Sequence, residues 1–154
     1  MDFATIKYSS AGDMLWVRRY NGPGNGSDYT SALAVDNGGN IYVTGSGFSA
    51  YNYDYTTIKY DPDGALIWIR TFDGLAYYND YTIALAVDDS DNAYVTGNSV
   101  DDIACRFGCV YLYSTVTIKY GPGGDSLWVR RSVGNDPSAT PPSSWPWMAR
   151  ITFA

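Results

Sequence analysis

The stretch that decides the fold reads AVDNGGNIYVTG and occupies residues 34–45. A second copy, AVDDSDNAYVTG, follows 52 residues later over residues 86–97. A shorter motif, TIKY, occurs three times, and a tryptophan follows each copy at the same spacing, as Trp16, Trp68 and Trp128. An internal repeat with a period near 50 residues is typical of propellers and solenoids. The repeat therefore predicts a modular architecture.

Each repeat unit predicts four short strands, which in the best-defined copy cover residues 31–36, 41–45, 57–60 and 66–71. The segments between the first two and the last two strands are rich in Gly, Asn, Asp and Pro, which favours tight hairpins and antiparallel pairing. The first strand carries small residues and the fourth carries a tryptophan, as a wedge-shaped propeller blade requires. We therefore predict an all-β fold, an incomplete beta-propeller of four-stranded antiparallel blades.

These motifs resemble one known family, the bacterial SBBP-type beta-propeller repeat. The resemblance covers about residues 2–131 and depends on AVD, YVTG, TIKY and the following Trp-Val-Arg or Trp-Ile-Arg, all in register. It implies a bacterial protein that is extracellular or exposed at the cell surface. It implies an architecture and no particular reaction.

The repeat divides the chain into a half blade at 2–20, a blade at 29–72, a blade at 81–131 and an irregular Pro-rich tail at 132–154. Propellers typically close with 4–8 blades, so we expect an open arc whose partner is the rest of a longer propeller chain. Shifting the reading frame of the tail from Trp145 restores Ala, Asp and Gly at the positions of the AVD motif. One hypothesis is therefore a frameshifted copy of the next half blade, and the alternative is a genuine Pro-rich linker.

The composition excludes several kinds of chemistry. The 154 residues contain 10 Lys and Arg, 16 acidic residues that are all Asp, and no His, Glu or Gln. A Ser-His-Asp triad and a His-ligated zinc are impossible within this chain. The formal charge of −6 argues against nucleic acid as a partner. We expect no membrane insertion, because no apolar run approaches the roughly 20 residues that a span needs, and residues 1–8 lack a signal-peptide pattern.

Aspartates cluster at residues 61–64 and 88–92 and faintly resemble calcium loops. A calcium site needs about six or more oxygens, usually with a bidentate carboxylate, and both segments coincide with predicted hairpin turns that Asp caps. No Asp pair for glycoside cleavage can be placed across a pocket. We therefore expect no metal, no cofactor and no catalysis. The alternative is a fragment of a propeller hydrolase or lyase whose remaining residues lie on other blades.

The repeat also places basic residues and aspartates on strands that are predicted to be neighbours. Lys59 and Lys119, with the arginines after each tryptophan, are predicted to pair with Asp36 and Asp88 on neighbouring strands. We interpret these pairs as devices that set strand register, with little effect on stability if they are exposed.

Two cysteines, Cys105 and Cys109, lie in an eight-residue excess of the second full repeat. A disulfide that staples this segment and two free thiols both remain open. The spacing differs from the redox C-x-x-C motif.

The variable segments 21–29, 46–55, 73–81 and 98–114 are all predicted to be loops at one end of the blades. Variable loops on a rigid scaffold often bind partners, and tyrosine is a favoured contact residue. We therefore predict a non-catalytic binding or interaction scaffold for an unknown protein or glycan, with a glycan-binding module as the alternative. In another interpretation, these rings only cover the blade ends. The candidate contact residues are Tyr51, Tyr53, Tyr77, Tyr78, Phe107, Tyr111 and Tyr113.

Overall fold

The computed structural model describes residues 1–75, 77–105 and 109–133, with side chains for all of these except 102–105, 109 and 133. Ten strands alternate with turns and loops along this part of the chain. They are β1 (Phe3–Tyr8), β2 (Met14–Tyr20), β3 (Tyr29–Val35), β4 (Ile41–Phe48), β5 (Tyr53–Tyr60), β6 (Leu66–Phe72), β7 (Tyr81–Val87), β8 (Ala93–Cys105), β9 (Cys109–Tyr120) and β10 (Ser126–Val133). Within the described ranges, no helix is long and apolar enough to cross a membrane.

The strands form three antiparallel sheets. The first sheet contains β1 and β2, the middle sheet has the order β3-β4-β5-β6, and the third sheet has the order β7-β8-β9-β10. Each sheet is a meander in which successive strands are neighbours, as the short turns require. The prediction of an all-β fold with four-stranded antiparallel sheets that resemble propeller blades is confirmed.

The turn between the last two strands of each sheet has one repeated conformation. In all three copies two backbone amides donate within the turn, as Gly64 N does to Asp61 O at 3.0 Å and Asp61 N to Ala65 O at 2.9 Å. The fourth residue has a positive φ, 91° at Gly12, 81° at Gly64 and 86° at Gly124. Glycine adopts this backbone region without the steric cost of a Cβ atom, which accounts for its presence at all three positions.

Two apolar cores hold the sheets together face to face. One lies between the first and middle sheets and includes Phe3, Ile58 and Tyr60. The other lies between the middle and third sheets and includes Trp68 and Ile118. The middle sheet is therefore covered on both faces, and nearly every residue of β4 and β5 is buried.

A set of hydrogen bonds, which we call the inter-sheet latch, ties each sheet to the last turn of the next sheet. From the first sheet, Lys7 Nζ and Trp16 Nε1 donate to Pro62 O at 2.7 and 3.1 Å, and Arg18 Nε donates to Gly64 O at 2.5 Å. The repeated Trp, Arg and Lys of the sequence therefore bind backbone carbonyls of the neighbouring sheet.

The latch recurs between the middle and third sheets. Trp68 Nε1 and Lys59 Nζ donate to Pro122 O at 3.0 and 3.4 Å, and Arg70 Nε donates to Gly124 O at 2.7 Å. Both latches join the same repeat positions, so they are a property of the repeat.

The predicted pairing of repeated bases with repeated aspartates is correct for lysine. Lys59 Nζ lies 3.5 Å from Asp36 Oδ2, and Lys119 Nζ lies 3.7 Å from Asp88 Oδ2. It is wrong for the arginines of the latch, because Arg18 and Arg70 donate to carbonyls. The Lys59–Asp36 pair is also buried, because the third sheet covers it.

Two of the predicted loops are strands. Residues 46–55 continue the β4–β5 hairpin, in which Gly47 pairs with Asp54 and Phe48 with Tyr53. Residues 98–105 and 109–114 extend the ladder between β8 and β9 to its last pair, Cys105 with Cys109. The prediction of loops is wrong here because an antiparallel ladder continues for as long as the two backbones keep hydrogen bonding, whatever the variation in side chains.

Several sequence-based predictions lie outside the described residues. These are the role of Phe107, the thiol chemistry of Cys105 and Cys109, whose backbones are described but whose side chains are not, and the two hypotheses on the tail from residue 134 onward.

Candidate functional site

A row of aromatic rings lines the end of the middle sheet where β5 begins. The ring of Tyr53 contacts those of Phe48 and Tyr29 at centroid distances of 5.4 and 5.7 Å. On its other side Tyr53 stacks on Tyr81 of the third sheet at 5.9 Å. The row therefore links the first strands of two neighbouring sheets through one tyrosine.

A second group of rings continues this surface over the third sheet. Tyr111 of β9 contacts Tyr78 edge to face at 5.7 Å and Tyr113 at 6.4 Å. Tyr81 pairs with Asn98 of β8, and Tyr113 pairs with Val100 two residues farther along the same strand, which places the two groups next to each other. We call the whole set the aromatic rim. It consists of Tyr29, Phe48, Tyr53, Tyr78, Tyr81, Tyr111 and Tyr113.

The structure gathers most of the predicted contact residues at this end, in three different settings. Tyr53, Tyr111 and Tyr113 lie in strands, so their assignment to loops is wrong. Tyr78 lies in a loop within the rim, as predicted. Tyr51 and Tyr77 are 95% and 79% exposed. The strands hold the rim rings in place, whereas Tyr51 and Tyr77 project into solvent.

Two buried aspartates organise the backbone beneath the rim. Asp28 accepts hydrogen bonds from the amides of Gly22 and Phe48, both at 2.8 Å. Asp80, one repeat later, accepts from the amide of Gly74 at 2.5 Å. These carboxylates close the connectors that lead into β3 and β7. Our sequence analysis missed them, although a signal exists, because DYT recurs at 28–30 and 80–82 with a glycine six residues before each Asp.

Asp80 is the most perturbed acid of the described chain. Burial raises its pKa to about 6, against opposing hydrogen bonds from the Ser99 hydroxyl and the Gly74 amide. The nearby carboxylates of Asp73 and Asp54 raise the pKa further. Burial also raises the pKa of Asp54. The carboxyl groups of Asp54 and Asp80 are therefore held in an environment that disfavours their charged form.

Asp54, Asp73 and Asp80 form an acidic trio with one carboxylate oxygen of each within 4.8 Å of the others. Oxygen ligands suit hard cations, but a calcium ion takes about six to eight of them. The amide nitrogen of Asn52 donates to Asp54 Oδ1 at 3.0 Å and to Asp73 Oδ1 at 3.4 Å. The amide group of Asn52 therefore bridges two of the three carboxylates.

The two segments that resemble calcium loops form hairpin turns. Asp61 Oδ1 accepts from the amides of Asp63 and Ala65 at 2.9 and 2.7 Å. Asp88 Oδ1 accepts from the amides of Ser90 and Asn92, both at 2.9 Å. Burial pushes the pKa of Asp88 upward, but these bonds and others outweigh it and lower the pKa to about 2. The prediction that these aspartates cap their own turns is confirmed.

Comparison with known protein families identifies a repeat in the chain. The model of the family described as SBBP, Beta-propeller repeat, matches residues 15–53. The chain carries an SBBP repeat. The resemblance seen in the AVD and YVTG motifs is thereby confirmed, and the SBBP repeat begins within β2 and ends at the first residue of β5. One SBBP repeat thus spans the boundary between two sheets. No curated protein matches the chain.

Proposed function

We propose that this chain is a non-catalytic segment of an incomplete beta-propeller, and that the aromatic rim is its contact surface for a protein or glycan. The observation that carries the proposal is the continuous row of rings from Tyr29 through Tyr53 to Tyr81, which crosses from one sheet to the next. Tyrosine offers a large contact area at low cost in side-chain entropy, together with a polar hydroxyl.

Two features of the rim support binding. The rings that form its base are held by strands and by Asp28 and Asp80, so little order would be lost on association. Tyr51 and Tyr77, which are 95% and 79% exposed, supply further contact area. A rigid aromatic base with exposed tyrosines around it resembles the composition of antibody contact surfaces.

The chemistry of the chain favours a scaffold over an enzyme. Without His or Glu, acid–base catalysis would depend on Asp, Lys, Tyr or Cys side chains, and the aspartates beneath the rim already accept structural hydrogen bonds. We further propose, from the family resemblance, a bacterial extracellular or cell-surface location and a place within a longer propeller chain.

A glycan is the second candidate ligand, and one observation favours it. Polar groups that can bind sugar hydroxyls stand beside the rings, because the exposed Asp73 carboxylate and the side chain of Asn79 border Tyr78 and Tyr53. Flat aromatic faces next to Asp and Asn side chains are a chemically suitable surface for sugar rings.

The test is a double substitution on the exposed part of this surface. The full chain and its Tyr77→Ala/Tyr78→Ala variant are applied to arrays of immobilised glycans and of candidate surface proteins. We expect the variant to lose at least about tenfold in affinity for any ligand retained by the wild type, as for contact residues that contribute more than about 1.4 kcal/mol.

The matched control is Leu75→Ala, an exposed apolar residue of the same loop. It should leave binding unchanged. Retention on the glycan array alone identifies the second candidate. Equal binding by the wild type and the double variant would exclude these tyrosines from the contact surface.

A further inference from the structure

The outer face of the third sheet repeats the half of the latch that binds the next sheet. Trp128 and Arg130 occupy the positions of Trp16 and Arg18, and of Trp68 and Arg70. The guanidinium lies over the indole at 5.6, 5.9 and 5.7 Å in the three copies. Arg130 also donates to the preceding carbonyl, Val129 O, at 3.1 Å, as the other two arginines do in their strands. The Trp–Arg pair is therefore preformed.

What differs in the third copy is the acceptor. In the first two copies the indole Nε1 and the guanidinium Nε donate to carbonyls of the next sheet. Within the described part of the chain, the hydrogen bonds of the third sheet include no acceptor for Trp128 Nε1 or for Arg130 Nε. The same face is also less covered, since Trp128 and Lys119 are partly exposed whereas Trp68 and Lys59 are buried.

The first sheet carries the complementary half. Its turn between β1 and β2 has the same two backbone hydrogen bonds as the other two turns, Ser9 N to Asp13 O at 2.8 Å and Gly12 N to Ser9 O at 3.0 Å. A Cβ atom placed on Gly64 or Gly124 would lie 2.8 or 2.9 Å from the indole of Trp16 or Trp68, whereas one on Gly12 meets no atom within 4 Å. The β1–β2 turn therefore leaves open the space that a tryptophan occupies on the other two turns.

The apolar contacts follow the same pattern. Tyr60 packs on Trp16 with ring centroids 6.2 Å apart, and Tyr120 packs on Trp68 at 5.9 Å. Their equivalent in the first sheet is Tyr8, which is 56% exposed, and beside it Ile6 is 43% exposed. Ile58 and Ile118, at the position of Ile6, are both buried.

We propose that the outer face of the third sheet binds the first sheet of a second copy of this chain through a third inter-sheet latch. Trp128 Nε1 and Lys119 Nζ donate to Ser10 O of the second copy, Arg130 Nε donates to Gly12 O, and the indole of Trp128 packs on Tyr8. The partner is a second copy of this chain, because both halves of the contact lie on it and match the geometry of two latches within it. Within a longer propeller chain, the next repeat would occupy the same face.

The two contact surfaces are different, so the association is head to tail. Such heterologous contacts generate rings where the rotation closes and open filaments where it does not. We therefore expect the mass in solution to rise with concentration. This proposal does not depend on the aromatic rim, which lies at the other end of the strands from the latch turns.

The test uses one variant on each side of the contact. In sedimentation velocity from micromolar to several hundred micromolar, the wild-type chain should show a rising average mass. Trp128→Ala removes one half of the latch, and Tyr8→Asp places a charge in the other half. Each variant alone should remain monomeric, with an affinity reduced at least about tenfold.

An equimolar mixture of the two variants provides the decisive measurement. Each keeps one intact half, so the mixture should form dimers and stop there. Leu127→Ala is the matched control, because its equivalent Ile67 stays 46% exposed in the middle sheet, whose two faces are both covered. It should associate like the wild type.

Three results would overturn the proposal: a wild-type chain that is monomeric at every concentration, a mixture that does not form dimers, or a Leu127→Ala variant that weakens association as much as Trp128→Ala. Circular dichroism of each variant establishes that it is folded, so a loss of association reports on the contact itself.

Discussion

At the scale of single residues, the aspartates divide into two classes by environment. Asp88 and Asp36 accept several hydrogen bonds in turns, which outweigh desolvation and lower the pKa of each. Asp80 and Asp54 lie beneath the rim, where burial raises the pKa of each. Aspartate therefore stabilises the fold as an anion in the turns, whereas beneath the rim its environment opposes ionisation.

Asp80 gives the stability a pH dependence of unusual sign. Its pKa is about 6 in the folded chain and about 3.9 when unfolded. Folding therefore takes up protons between about pH 4 and 6, and stability falls as the pH rises through this window, by up to about 3 kcal/mol from this one group. We expect the melting temperature, measured by circular dichroism, to fall from pH 4 to pH 6.5.

Asp80→Asn should flatten most of this slope, because the amide oxygen can still accept from Gly74 N and carries no charge. The raised pKa of Asp54 leaves a smaller slope of the same sign. Asp28→Asn, at the equivalent position one repeat earlier, leaves Asp80 in place and should keep the wild-type slope. A wild-type melting temperature that rises from pH 4 to pH 6.5 would contradict the assignment.

At the scale of elements, one glycine fixes how the first two strands of each sheet meet. A bulge in β7 between Thr82 and Ala84 brings its backbone against Gly97 of β8. A Cβ atom on Gly97 would overlap the carbonyl oxygen of Tyr81 and lie 2.7 Å from Thr82 Cα. Gly45 is in the same position in the middle sheet, against Tyr29 O and Thr30 Cα. The last residue of the YVTG motif is thus required by close backbone approach.

Gly97→Ala should therefore destabilise the chain by about 1–3 kcal/mol, the cost of forcing an extra atom into a packed site. Gly123→Ala is the control, because the nearest atom to its Cβ is 3.8 Å away, on Asp125. It should change stability by less than about 0.5 kcal/mol. Urea denaturation of both variants measures the difference, and equal midpoints would show that β7 can shift to accommodate the methyl group.

The elements that sequence analysis predicted well are those with local signals. Tight turns at 37–40 and 61–64 have Gly, Asn and Asp at the required positions, and the strands beside them were found. The ends of β4 and β8 were missed because Gly45 and Gly97 stand just before the variable segments and indicate strand ends, whereas the backbone pairing with β5 and β9 continues past both glycines. The partners of Arg18 and Arg70 were also missed, since they depend on how separate sheets are placed.

At the scale of the whole molecule, equivalent positions of the repeats carry the same residue types but are buried to different extents. Trp68 is 5% exposed between two sheets, whereas Trp128 lies on the outer face of the third sheet and is only partly buried. The same substitution at the two sites therefore separates the contribution of the neighbouring sheet from that of the strand itself.

Trp68→Ala should lower the free energy of unfolding by about 3–5 kcal/mol, as for other large aromatic residues removed from a core. Trp128→Ala should cost less than half of that, provided that the measurement is made at a concentration where the chain is monomeric. Thermal unfolding followed by intrinsic fluorescence gives both values. Equal losses of unfolding free energy at the two sites would mean that the latch and the burial of Trp68 by the third sheet contribute little to stability.

The middle sheet, covered on both faces, has a consequence for how the chain opens. Arrays of stacked modules unfold from modules that have a neighbour on one side only, because these lose fewer contacts. Backbone amides of β4 and β5 should therefore exchange with deuterium last, after those of β1 and β10. The molecule would then retain a protected middle sheet, while the first and third sheets unfold independently of each other.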